Sequence, residues 1–145
     1  MDELFDPSLL CVNCMKPLKT AKSVCPHCGF DNAGVENAPH QLECGSILAG
    51  AYLVGRVLGQ GGFGITYVGM DLNLQIKVAI KEYFPEGCVS RDMRTHSTVL
   101  SYTGEKGAFF HKGKDRFVDE ARTLALFAGD DGIVHVRSFF YENGT

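Results

Sequence analysis

Two sets of residues in this sequence have the types and spacing to do chemistry. The first is a pair of C-x-x-C knuckles, Cys11-Val12-Asn13-Cys14 and Cys25-Pro26-His27-Cys28, with 10 residues between them. Four thiolates are the donor set of a tetrahedral structural zinc site. Gly29 suits the turn that aims the second pair of sulfurs inward. The spacer is short, yet long enough for a small hairpin. Two disulfides or four free thiols are the alternatives. His27 lies between two better-placed cysteines and reads as surface. Cys44 and Cys88 stand apart: Cys44 reads as an incidental thiol, and Cys88 as a packed or exposed thiol rather than a nucleophile. His96 and His111 have no partners at metal spacing.

The second set is the stretch Leu58-Gly59-Gln60-Gly61-Gly62-Phe63-Gly64-Ile65-Thr66-Tyr67, followed by Val78-Ala79-Ile80-Lys81. Gly59, Gly61 and Gly64 have the spacing G-x-G-x-x-G. Such a turn can bring backbone N–H groups against phosphate oxygens. Dinucleotide-binding folds use the same spacing, but there a helix opens at the last glycine. Here Ile65 to Val68 is β-branched and aromatic, which favours a strand. A further apolar run, 76–80, ends in Lys81. Strand, glycine turn, strand and a lysine-bearing strand together make a phosphate clamp, with the lysine as a point charge.

The elements around this clamp are read as follows. A first strand starts at about Ala51 and runs through Leu58. Residues 114–128 have the strongest helical period, with Phe117, Ala121, Leu124, Phe127 and Ala128 on one face. Glu120 falls on that face and Asp119 points away. A carboxylate on an apolar stripe is costly unless paired, and Lys81 is the evident cation; the alternative is that Glu120 reaches water at the edge of the face. Residues 133–140 read as a strand, with a hairpin turn at Glu142-Asn143-Gly144. Between Lys81 and the helix lies a long polar stretch, in which 97–102 reads as an extra strand. Residues 31–47, rich in Asn, Gly and Pro, read as linker.

The pairing of the glycine stretch with V-A-I-K resembles the nucleotide-binding lobe of protein kinases. The K-E-Y-F-P run and the long insertion behind it resemble one group of bacterial serine/threonine kinases. The resemblance covers about residues 48–145, and it implies several roles. Leu58 to Gly64 and Thr66 line the ATP site, Ala79 helps cover the adenine, and Lys81 contacts the α- and β-phosphates. Glu120 pairs with Lys81, as phosphoryl transfer requires. Leu124 and Val136 join a hydrophobic spine between lobes. Thr66 departs from the valine usual at its position. The cysteine segment resembles the zinc ribbons found at the ends of many bacterial proteins.

The expected fold is therefore α+β: a four-cysteine zinc ribbon (1–30), a linker (31–47) and a kinase-like N-lobe (48–145) of antiparallel sheet plus one main helix. The H-R-D catalytic loop and the D-F-G magnesium ligand of kinases are not in the sequence, so it reads as a fragment truncated before the C-lobe and inactive alone. Magnesium ligands would belong to that missing lobe. ATP and a protein substrate are the implied partners, with the ribbon contacting a protein. A zinc ribbon on a degenerate lobe, acting as a scaffold, is the competing class.

Composition sets outer limits. The 145 residues are 45% hydrophobic, enough to support a core, and the net charge of −3 argues against a broad electrostatic hold on nucleic acid. No apolar run reaches the ~20 residues that span a bilayer, and the acidic N-terminus lacks the features of a signal peptide. A cytoplasmic, reducing location follows as the expectation, and it disfavours disulfides.

Overall fold

The computed structural model describes residues 6–126, 136 and 138–145. Four strands form one antiparallel sheet in the order β1 (Ile47–Leu48), β2 (Tyr52–Gln60), β3 (Gly64–Asp71) and β4 (Ile76–Tyr83). A second, two-stranded sheet pairs β5 (Val89–Arg91) with β6 (Val99–Ser101). Among the described residues one α-helix, α1 (Glu105–Ala125), joins these sheets. This is the α+β class read from the sequence. No helix among the described residues is long and apolar enough to cross a membrane.

The register of the main sheet positions the site. Gly64 opposes Tyr83, Thr66 opposes Lys81 and Val68 opposes Ala79. Because side chains alternate along a strand, Thr66, Val68 and Met70 share one face of β3 while Ile65 and Tyr67 occupy the other. Ile65 and Tyr67 are fully buried in the main core, with Leu42, Val54, Phe84, Val89, Val99 and Phe110. Register shifts on either side of Val57 bulge and curl β2. The polar groups freed by the bulge are taken up by Asn37, whose amide donates to Gly55 O (3.0 Å) and whose Oδ1 accepts from Val57 N–H (3.0 Å).

That contact revises the reading of 31–47 as a spacer. Leu42 is 1% exposed, Asn37 bridges the β2 bulge, and Ile47 pairs with Leu53. A polar, Gly- and Pro-containing composition reads as linker, but here the side-chain amides satisfy sheet groups that lack ladder partners.

The helix also differs from expectation, starting at Glu105 rather than 114. Gly107 and Gly113 have low intrinsic helix propensity. Both are where neighbours approach closely: a Cβ on Gly107 would collide with the Tyr102 carbonyl, and one on Gly113 with the Tyr83 ring. Phe127 and Ala128 lie outside the described residues, as do four of the eight residues 133–140; Val136 and Ser138 to Phe140 are described and are not in a strand ladder. The extra strand expected within 97–102 is β6. The Asn143-Gly144 turn forms with both residues at positive φ, 58° and 82°, and the Asn143 carbonyl accepts from Val99 N–H (2.7 Å).

Candidate functional site

The cysteine knuckles are two copies of one local design. In each, the residue four after the first cysteine takes a left-handed conformation (Met15 φ 63°, Gly29 φ 77°) and donates its N–H back to that cysteine's carbonyl, at 2.8 and 2.9 Å. Short bridges, Leu10 with Pro17 and Val24 with Asp31, flank them. The four Sγ atoms of Cys11, Cys14, Cys25 and Cys28 lie within 4.8 Å of one another, with 3.7 Å between Cys11 and Cys28 and 3.6 Å between Cys14 and Cys25. A zinc ion about 2.3 Å from each of four sulfurs sets them about 3.8 Å apart, so the cluster fits that ion, and the cysteines are not joined as disulfides. The Phe30 N–H, then the Asn13 amide, pull the Cys28 thiol down to about 6, whereas burial above all pushes Cys14 up to about 12. Four crowded thiols cannot all ionise together, and a divalent cation removes that conflict. His27 is exposed, with no part in the cluster beyond its backbone N–H on Cys25 Sγ (3.4 Å).

Sequence reading missed Asn32. It is 6% exposed, accepts from Val12 N–H (3.0 Å), and donates to Ser23 O (3.0 Å) and Cys11 Sγ (3.5 Å), tying one knuckle to the other. An asparagine in a polar segment gives no sign of this beforehand.

The knuckle unit is also docked on the sheet. Leu10 and Met15 pack with Leu53, Val68 and Met70, the far end of the sheet face whose near end carries Thr66 and Lys81. Arg56 donates its backbone N–H to Val12 O (3.1 Å) and its Nε to Asn13 Oδ1 (2.6 Å). Gly55 leaves room for the approach, since a Cβ there would come 2.6 Å from the Val12 carbonyl.

At the near end, the glycine turn is a tight reversal between β2 and β3, closed by Gly61 N–H on Gly64 O (3.0 Å). Gly64 must be small, because a Cβ would meet the Glu82 carbonyl at 2.7 Å. Phe63, at the tip, is 65% exposed. A cavity of about 620 Å³ lies between β4, α1 and the C-terminal segment. It brings together Thr66, Ala79, Lys81, Glu120, Leu124 and Val136. A second cavity, about 320 Å³, shares Lys81 and Glu120 and adds Phe63, Lys112 and Arg116. Leu58, Gly59, Gln60, Gly61, Gly62 and Gly64 border neither cavity; Leu58 is half exposed.

Glu120 and Lys81 both line the groove, whereas Asp119 does not and lies 3.4 Å from Arg122. The expected ion pair is not made: among the described residues Lys81 has no carboxylate within 4 Å, and its Nζ stands 5.6 Å from the centre of the Phe117 ring. Both side chains are exposed, where water competes with pairing and an ion pair is worth little.

Tyr83, two residues beyond Lys81, joins β4 to the helix. Its hydroxyl donates to Phe110 O (3.0 Å), and its ring stacks on Phe110 (5.4 Å) and leans on Phe117 (5.6 Å). Gly113 supplies the space.

No family model matches the sequence, and no curated protein matches it. A solved structure described as the apo form of PpkA-294 is similar, with 33% identity, a TM-score of 0.66, and coverage of 72% of this chain and 36% of that one. The chain thus spans about a third of the solved chain's length. With the curled antiparallel sheet, the glycine turn and the helix α1, this likeness supports a kinase-related domain in the chain.

Proposed function

We propose that this chain supplies the phosphate-binding half of a protein serine/threonine kinase, working on ATP and a protein hydroxyl in a reducing, cytoplasmic setting. The observation that carries the reading is the convergence of Thr66, Ala79, Lys81 and Glu120 on one cavity. In this reading Leu58 to Gly64 cover the nucleotide, Thr66 and Ala79 flank the adenine, and Lys81 holds the α- and β-phosphates. Glu120 closes on Lys81 when nucleotide is bound, because neighbouring opposite charges attract more strongly once water is excluded. The base and the magnesium ligands are not in this sequence, so phosphoryl transfer belongs to a protein in which another segment supplies them. Cys11, Cys14, Cys25 and Cys28 would hold one Zn²⁺, whose contribution is structural: it holds a segment too small for a core of its own.

Titration with a fluorescent ATP analogue tests the reading. Binding should be weak, at the upper end of the micromolar-to-millimolar range usual for enzyme substrates, and lost in Lys81→Met. Equal binding by wild type and Lys81→Met would refute it. The separation of Lys81 from Glu120 favours a second reading, a non-catalytic partner-binding module. Phosphoryl transfer by a protein that joins this chain to an H-R-D and a D-F-G segment, with strong loss in Glu120→Gln, decides against that alternative.

A further inference from the structure

We propose that Arg91 and Glu82 are positioning residues that fix Lys81 and the glycine turn to one another, making the 84–101 excursion a working part of the phosphate clamp. This rests on the nucleotide-site reading above.

Glu82 follows Lys81 on β4, so the two side chains leave opposite faces of the strand. Locking one fixes the orientation of the other. Glu82 is locked: Arg91 donates Nη1 to Oε2 (2.9 Å) and Nη2 to Oε1 (2.7 Å), and the Tyr67 hydroxyl donates to Oε1 (3.0 Å). The side chains of Arg91 and Glu82 are 1% and 7% exposed. Arg91 completes its own bonding with Nε on His40 O (3.0 Å) and Nη1 on Ser97 O (2.7 Å), and its guanidinium lies 4.9 Å from the Phe84 ring centre. A bidentate charged pair held by this many bonds has one geometry available to it.

The same segment grips the turn. Phe84 N–H donates to Phe63 O (3.0 Å) and Glu86 N–H to Gly62 O (2.9 Å). On the other side His40, whose carbonyl Arg91 holds, bonds Gln60 through its ring (2.7 Å), and Gln41 bonds Gln60 as well (3.0 Å). Both arms of the clamp, the lysine and the glycine turn, are therefore referenced to residues 82–86, and those residues are referenced to Arg91.

The test compares the wild-type chain with the double variant Arg91→Met, Glu82→Met and with Arg91→Lys, measuring amide hydrogen exchange and ATP affinity on each. Replacing both members of a buried pair by apolar residues commonly preserves the fold, so β3 amides should stay protected. The Phe84 and Glu86 amides should exchange roughly tenfold faster, and ATP should bind about tenfold more weakly, the scale of a lost charged hydrogen bond. Arg91→Lys keeps the charge without the fork and should fall between. A folded double variant with unchanged exchange at Phe84 and Glu86 and unchanged affinity would overturn the proposal. If the double variant unfolds, unchanged exchange and affinity in Arg91→Lys overturns it. Faster exchange in a chain whose wild type does not bind ATP removes the nucleotide reading and leaves the grip on the turn standing.

Discussion

The cysteine unit and the sheet–helix groove reach their geometry by opposite routes. The knuckles are local: each closes within five residues, the design occurs twice, and Asn32 bolts the copies together. The groove is assembled from β3, β4 and α1, with Thr66, Lys81 and Glu120 far apart in sequence. A local site needs a metal because it has little to bury; a long-range site needs a core and a helix set at the right distance. The two are nevertheless not independent, because the knuckles cover one end of the same sheet face that carries Lys81 at the other. The four-cysteine unit is packed as part of the wall of the lobe.

The largest effect should come from the metal ligands. Cys11→Ser with Cys14→Ser should abolish zinc binding, read by elemental analysis against about one equivalent in wild type, and should unfold residues 6–32. Were the units separate, the lobe would not notice. With Leu53, Val68 and Met70 uncovered, it should lose about 2–4 kcal/mol, seen in denaturant unfolding and in faster exchange along β2 and β3. Cys44→Ser and Cys88→Ser should leave the metal in place. Gly55→Val attacks mainly the interface: it should keep the zinc yet destabilise the chain by about 1–3 kcal/mol, since the added carbons meet Met15 and the Val12 backbone. Unchanged stability there would mean that the two regions are only neighbours. Tyr83→Phe is the mildest, removing one hydrogen bond between β4 and α1 at a cost of about 1 kcal/mol. It should loosen the helix without touching metal content.

The same contrast explains what could be read in advance. The C-x-x-C spacing, the Asn-Gly turn and the glycine-strand-lysine order each encode their geometry within a few residues, and all three formed. The start of α1 did not show, because Gly107 and Gly113 have low intrinsic helix propensity and give no sign of Tyr102 and Tyr83 against them. Residues 31–47 looked like spacer because nothing local says that Asn37 will serve a bulge 18 residues away. The phase of Glu120 was legible from helical period; its distance from Lys81 was not, since that depends on how α1 seats on Tyr83.

The most direct test of the central claim is a magnetic-resonance titration of the chain with magnesium ATP to millimolar concentration. Saturating shifts should appear at the amides of 61–64 and at Ala79 and Lys81, and should vanish in Lys81→Met, while the amides of 11–32 stay still. Shifts confined to the cysteine unit, or shifts at the glycine turn that persist in Lys81→Met, would contradict a phosphate clamp built from that turn and that lysine.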